Sequence, residues 1–234
     1  MSHLIIYGKK NKASFTPQYE KIVQSGDLIE IYQYEKMVFP KKQSRRKKRR
    51  KPYKGYKSER HIKRAVFNFR RKVRATLLLG TPHLLTLTML AIVSVEEAYK
   101  LFTEFFTRMK KVYGKELVQI SVVEFQGRGA VHFHCLIWNL PDETEQKERD
   151  ERRIQHLWGY GYADCILTDG SPKLSGYLAK DMSKSMYDDR LFGKKAYTSS
   201  RNTLSSVSLT SQASVAFFKD NFKIDVKGAT IEPT

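Results

Sequence analysis

Residues 120–138 read ISVVEFQGRGAVHFHCLIW, and the pattern is that of a β-hairpin with two chemically different faces. Gly127-Arg128-Gly129 can serve as a three-residue loop. Such a loop pairs Gln126 with Ala130 and hence Glu124 with His132. Because successive side chains in a strand point to opposite faces, Glu124, His132 and His134 then share one face. Val123, Phe125, Val131, Phe133, Cys135 and Ile137 share the other, which is a core face. The histidine face is expected to point away from the apolar core. A His132→Ala change is therefore expected to abolish activity while sparing the fold.

Two imidazoles and one carboxylate in register form a plausible site for a divalent cation, and such an ion polarises a phosphoryl oxygen. Gln126 is an accessory candidate as a further ligand, with a polar neighbour of the site as the alternative reading. The competing reading is a pair of ordinary strand histidines; the triplet with Glu124 favours the metal.

Around the hairpin, the spacing predicts a helix from Ser58 to about Leu79, with Ile62, Val66, Phe69, Val73 and Leu77 on one stripe. A strand follows at Leu84–Met89, with Thr86 and Thr88 on one face. Ser94–Tyr113 is the clearest helix: Ala98, Leu101, Phe102, Phe105, Phe106, Met109 and Val112 make a core stripe. Ser94 with Glu97 forms a capping box, and Gly114 provides the stop. The strands Leu117–Gln126 and Ala130–Leu140 come next, then a charged helix near Glu143–Leu157, a strand at Tyr162–Thr168 and a helix from about Ser175 to Met186. Shorter strand-like runs occur at Leu4–Tyr7, Leu28–Phe39, Ser214–Phe218 and Phe222–Val226. The first two suggest a small hairpin or edge element. The β–α–β–β–α–β–α series predicts an α+β fold, a central antiparallel sheet with helices packed on one side. The expected division is 1–57, an N-terminal strand pair plus basic arm; 58–201, the main domain; and 202–234, a C-terminal extension packed on the domain or trailing it.

The charge is lopsided, with 43 Lys and Arg against 24 Asp and Glu, a formal net of +19. Such a balance favours a polyanionic partner, because neutralising phosphates releases condensed counterions. Residues 41–51 (KKQSRRKKRRK) concentrate it: Arg45, Arg46, Lys47, Lys48, Arg49 and Arg50 head the candidates for DNA contact, with Arg128 and Lys184. This run is expected to raise affinity without setting sequence preference. A solvated run or a localisation signal is the alternative. Cys135 and Cys165, both in apolar runs, read as buried thiols of a reducing compartment. No stretch approaches a membrane span of about 20 apolar residues. Lacking a signal-peptide design as well, the chain is expected to be cytoplasmic.

A second cluster lies at Ser175–Lys184. On a helix, Tyr177, Lys180, Asp181 and Lys184 share a face, with Leu178, Met182 and Met186 opposite. Positive charge beside a tyrosine favours phenolate and steadies a phosphate. A solvated helix with a surface tyrosine is the competing reading.

Glu124, His132-Phe-His134 and Tyr177-x-x-Lys180, in that order, resemble the HUH endonucleases (His-hydrophobic-His), in particular rolling-circle replication initiators of small plasmids and single-stranded DNA phages. Leu84-Leu-Thr-Leu-Thr88 resembles that family's first motif. Leu157-Trp-Gly-Tyr-Gly161 and the stretch Gly193–Arg201 are similar to segments of its bacterial and phage members. The likeness covers roughly residues 58–201, with a weaker echo in Ser25–Tyr32. It implies a ferredoxin-like or RRM-like sheet and a bacterial or archaeal host. It also implies Mg²⁺ or Mn²⁺ on Glu124, His132 and His134, Tyr177 as nucleophile, and Lys180 as a helper on phosphate or metal. The implied product is a 5′-phosphotyrosine link with a free 3′-hydroxyl. Many relatives carry a second tyrosine four residues after the first. Here that position is Asp181, which puts a two-tyrosine exchange within one subunit in doubt. Asp181 is an accessory candidate for holding the metal or a lysine. The absence of a G-x-x-x-x-G-K-[ST] motif suggests unwinding by a host helicase, with synthesis by a host polymerase. A single-tyrosine transposase and a catalytically silent nucleic-acid-binding domain are the alternatives.

Overall fold

A computed structural model of the chain describes residues 3–7, 19–34, 58–140, 147–222 and 230–232. The basic run 41–51, with Arg45 to Arg50, lies outside the described residues. The strands and helices run in the order β1 (His3–Tyr7), β2 (Tyr19–Ser25), β3 (Leu28–Tyr34), α1 (Glu59–Thr76), β4 (His83–Met89), α2 (Val95–Tyr113), β5 (Val118–Phe125) and β6 (Val131–Trp138). After these come α3 (Lys147–Trp158), β7 (Gly161–Leu167), α4 (Lys173–Ser185), β8 (Tyr197–Ser199), β9 (Val207–Leu209), α5 (Gln212–Phe222) and β10 (Thr230–Glu232). They form two compact units, Tyr56–Leu204 and the combination of Met1–Gly55 with Ser205–Thr234.

In the larger unit the sheet order is β7-β4-β6-β5-β8, and every pairing is antiparallel. The β4-α2-β5-β6-α3-β7 series is the β-α-β-β-α-β arrangement of ferredoxin-like folds. Both helices of that series lie on one face. Their residues Phe102, Phe105, Met109, Ile154 and Trp158 pack with Leu85, Leu87, Val123, Val131, Phe133 and Cys135. The Phe102 and Phe133 rings stack at 4.8 Å between centroids, and Trp158 meets Phe105 edge-on at 5.4 Å. Helix α2 begins where Ser94 Oγ accepts from the Glu97 N–H at 3.1 Å and ends at Gly114, whose φ is 109°. Glu96 and Glu97 in its first turn and Lys110 and Lys111 in its last complement the helix dipole.

The flanking helices α1 and α4 pack on the opposite face, which corrects one expectation. The face that carries Glu124, His132 and His134 is not turned away from apolar core. Further along the same strands it carries Ile120, Val122, Leu136 and Trp138, and these are buried under Ile62, Phe69, Val73, Leu178 and Met182. The sheet is thus covered by helices on both faces. The histidines sit at the end of the second face, where its apolar positions give way to polar ones.

In the smaller unit the order is β10-β1-β3-β2-β9. Strands β2 and β3 form its hairpin, turning at Gly26 with φ 62°, while β1 lies parallel to β3. The expected pairing of the runs at Leu4–Tyr7 and Leu28–Phe39 is therefore parallel, and β2 is the strand the sequence pattern missed. Residues Ser214–Phe218, strand-like in sequence, belong to helix α5. Ser211 caps it, its Oγ accepting from the Ser214 N–H at 3.2 Å. Val215 and Phe218, three apart and so on one helix face, join Ile22, Ile29 and Ile31 in the core.

Candidate functional site

The β5–β6 hairpin has the register expected from the sequence: Glu124 lies opposite His132, and the Gln126 N–H donates to the Ala130 carbonyl at 3.0 Å. Arg128 at its tip is engaged in structure. Its Nε donates to Gln126 Oε1 at 3.1 Å, Nη1 to the Leu90 carbonyl at 2.7 Å, and Nη2 to the Met89 carbonyl. From the other side Arg190 donates to the Gly129 carbonyl at 3.0 Å and lies 3.8 Å over the Phe125 ring. The loop that sets the register is thus clamped to the end of β4.

Across the sheet, one row on the site face runs Tyr162, Thr88, His132, Glu124, and the next runs Asp164, Thr86, His134, Val122. His132 Nδ1 is 3.0 Å from Thr88 Oγ1. Burial lowers its pKa to about 4, the neighbouring His134 adding to the shift and Glu124 opposing it, so the ring is neutral at neutral pH. His134 is only 8% exposed; its Nε2 stands 3.3 Å from Glu124 Oε2 and 4.0 Å from Asp181 Oδ2, and its buried Nδ1 has no hydrogen-bond partner among the described residues. The two imidazoles meet edge to face at 4.6 Å.

Helix α4 supplies the rest. It packs over β5 and α1, burying Leu178, Ala179 and Met182, and this turns Tyr177, Asp181 and Lys184 toward the strands. Ligand atoms of Glu124, His134 and Asp181 all lie within 4.8 Å of one another. Of the expected triplet, Glu124 and His134 fall in this cluster, and His132 stands beside it. Asp181 joins as a third donor that the strand pattern could not reveal. Lys184 Nζ donates to Glu124 Oε1 at 2.7 Å. Burial pushes the Glu124 carboxyl up, but Lys184 and His134 together bring it below the ordinary carboxylate range. Asp181 is held above that range by burial, with Glu124 adding and His134, Lys184 and Lys180 opposing. Two carboxylates and an imidazole so close form a mixed oxygen and nitrogen donor set suited to a divalent cation.

Tyr177 is 49% exposed, and its ring meets that of His134 edge-on at 6.0 Å between centroids. The expected activation of its phenol by lysines is not what this arrangement provides. Burial, Asp181 and Glu124 raise its pKa, while Lys184 is spent on Glu124 and Lys180 is exposed.

Leu157-Trp-Gly-Tyr-Gly161 braces the far side of β4. Trp158 Nε1 donates to the Thr88 carbonyl at 3.0 Å, and the Leu90 N–H donates to the Tyr160 carbonyl at 2.9 Å. Gly161 passes so close to β4 that a Cβ there would lie 2.2 Å from the Thr88 carbonyl oxygen. In Gly193–Arg201, β8 pairs with β5, and Ser121 Oγ lies 2.7 Å from Thr198 Oγ1. Both segments support the site strands from outside. No helix among the described residues is long and apolar enough to cross a membrane.

No curated protein and no solved structure matches the chain. Residues 82–186 match a family model that describes replication-associated proteins of the ORF2 type. The matched segment runs from β4 to the end of α4 and so contains Thr86, Thr88, Glu124, His132, His134, Tyr177, Lys180, Asp181 and Lys184. The residues gathered at this site therefore all lie within a segment that carries a replication-associated signature, and a role in replication is what that signature supports.

Proposed function

We propose that the chain is a replication initiator that nicks single-stranded DNA at an origin by tyrosine attack, as a site-specific endonuclease and strand transferase. The observation that carries this reading is an exposed tyrosine, Tyr177, set edge-on to His134 beside a cluster of two carboxylates and an imidazole. A cation held by Glu124, His134 and Asp181 would supply Lewis-acid stabilisation of the phosphoryl oxygens. His132 belongs with this set: when its Nδ1–H donates to Thr88, Nε2 keeps the free lone pair that a ligand needs.

The chain's own residues do the rest. Tyr177 Oη attacks the scissile phosphorus while the bond from phosphorus to the 3′ oxygen breaks. The phenol loses its proton, and the departing 3′ oxygen gains one. The products are a 5′-phosphotyrosine and a free 3′-hydroxyl for a host polymerase. The tyrosyl ester keeps the energy of the broken diester, so rejoining needs no ATP. Lys180, one turn along α4, is available to a phosphate oxygen. Arg70 of α1, whose Nη2 lies 3.9 Å from where a Cβ on Gly176 would stand, is a further cation on the side of α4 that carries the tyrosine's neighbour. The formal net charge of +19 fits a nucleic-acid partner, and in this reading that partner is single-stranded DNA at the origin, unwound by a host helicase.

The test is strand cleavage. Purified chain with Mn²⁺ and a degenerate single-stranded library is expected to yield fragments whose 3′ ends a polymerase extends, and EDTA is expected to stop it. DNA binding without any cleavage, with Mn²⁺ or Mg²⁺, would favour a silent binding domain. Cleavage at the ends of a mobile element, with none at an origin, would favour a transposase.

A further inference from the structure

Strand β7 is at the edge of the larger unit's sheet, and its two faces differ sharply. Ala163 and Cys165 are buried against α2 and α3. Tyr162, Asp164 and Ile166 point to the other face, the one that carries the site; Tyr162 is 62% and Ile166 46% exposed. An exposed tyrosine on an edge strand is ordinary by itself. Its register is what singles Tyr162 out: it occupies the row Tyr162, Thr88, His132, Glu124. With neighbouring strands roughly 4.8 Å apart, it stands about 10 Å from His132. Helix α4, with Tyr177, packs over β5, on the far side of the histidines. The open sheet face between the two tyrosines is therefore polar in its middle and aromatic at its β7 end.

From this we infer that Tyr162 is a base-stacking platform that holds one nucleotide of a bound single strand beside the Glu124–His132 row and so sets how the strand lies across the sheet. Charge sets which side of the strand lies where. Lys180, exposed on α4, attracts phosphate, whereas the Asp164 carboxylate, adjacent to Tyr162 on the same face, repels it and can accept from a base amino group. Bases thus face β7 and backbone faces α4. The inference rests on single-stranded DNA being the substrate, but not on any nicking step.

The test is metal-free binding of the full chain to a single-stranded oligo-dT carrying one 2-aminopurine, scanned through its positions. Stacking on Tyr162 quenches the fluorophore at some positions and not at others. Tyr162→Ala is expected to remove that quenching and weaken binding by on the order of tenfold or more. Tyr162→Phe, which keeps the ring and loses only the hydroxyl, is expected to match the parent chain. Quenching and affinity unchanged in Tyr162→Ala would overturn the inference, as would a Phe variant as impaired as Ala. Because EDTA is present, a chain that never cleaves but shows Tyr162-dependent quenching keeps this inference and loses the proposed nuclease. A chain that cleaves, indifferent to Tyr162→Ala, does the reverse.

Discussion

Gly161→Ala probes how the site strands are held. The new methyl would meet the Thr88 carbonyl oxygen at 2.2 Å and the Leu90 nitrogen at 2.7 Å, both backbone atoms that no rotamer change can move aside. It would also hold an alanine at φ +152°, where L side chains are rarely found. Backbone strain of this kind costs about 1–3 kcal/mol and overpacking about the same, so a loss of about 2–6 kcal/mol is expected. The natural response is for β4 to yield at Thr88–Leu90. That stretch also accepts from Trp158 and Arg128 and donates to the Tyr160 carbonyl, and Thr88 is the residue that orients His132. Urea unfolding followed by tryptophan fluorescence reads the effect on the right unit, because both tryptophans, Trp138 and Trp158, are buried in it. Mn²⁺ titration of the still-folded variant reads the effect on the site, and weaker binding is expected. A stability loss below about 0.5 kcal/mol, the range of a neutral surface change, would refute the close approach. A clear loss of stability with unchanged Mn²⁺ affinity would refute the link from Gly161 through Thr88 to the metal donors.

Thr88→Val removes the hydroxyl beside His132 while keeping the shape of the side chain, and should weaken Mn²⁺ binding by about 10- to 100-fold with little change in the urea midpoint; unchanged affinity by calorimetry would contradict this role. Lys184→Met should act in the opposite direction on the metal. It frees Glu124 from the ammonium 2.7 Å away, so Mn²⁺ binding strengthens by a few-fold even as DNA binding weakens, and a weaker metal site would show that Lys184 supports the cation rather than competing with it. Cys135 and Cys165 should resist a thiol reagent in the native protein and react in urea, since both are buried and burial raises the Cys135 thiol well above its usual range. Rapid native labelling of Cys135 would mean that the sheet opens far more readily than its packing implies.

The legible parts of the sequence were those in which local signals agreed. The Gly127–Gly129 loop, strict alternation on both arms and a capping box at Ser94 each pointed to one structure, and the Glu124–His132 register followed from loop length alone. The second core face was legible too, since Ile120, Val122, Leu136 and Trp138 alternate in phase with the histidines, but the polar residues at the end of that face masked it. Strand β2 holds the adjacent pair Ile22 and Val23 but, with Glu20, Lys21 and Gln24 around them, no regular alternation, and it is recruited by pairing with β3 and β9. Asp181 is the instructive case. Helix spacing sets it on the face of Tyr177 and makes it an accessory candidate, but only the packing of α4 over β5 brings it to Glu124 and His134. Donor sets assembled from different elements depend on tertiary packing, which strand alternation and helix spacing do not encode.

The central claim is that Tyr177 carries the DNA. Incubating the chain with Mn²⁺ and single-stranded DNA, digesting both, and locating the nucleotide-modified peptide by mass spectrometry tests it most directly. A phosphodiester-linked nucleotide is expected on Tyr177, absent with EDTA and absent in Tyr177→Phe. A modified peptide elsewhere, or an adduct that survives Tyr177→Phe, would contradict it.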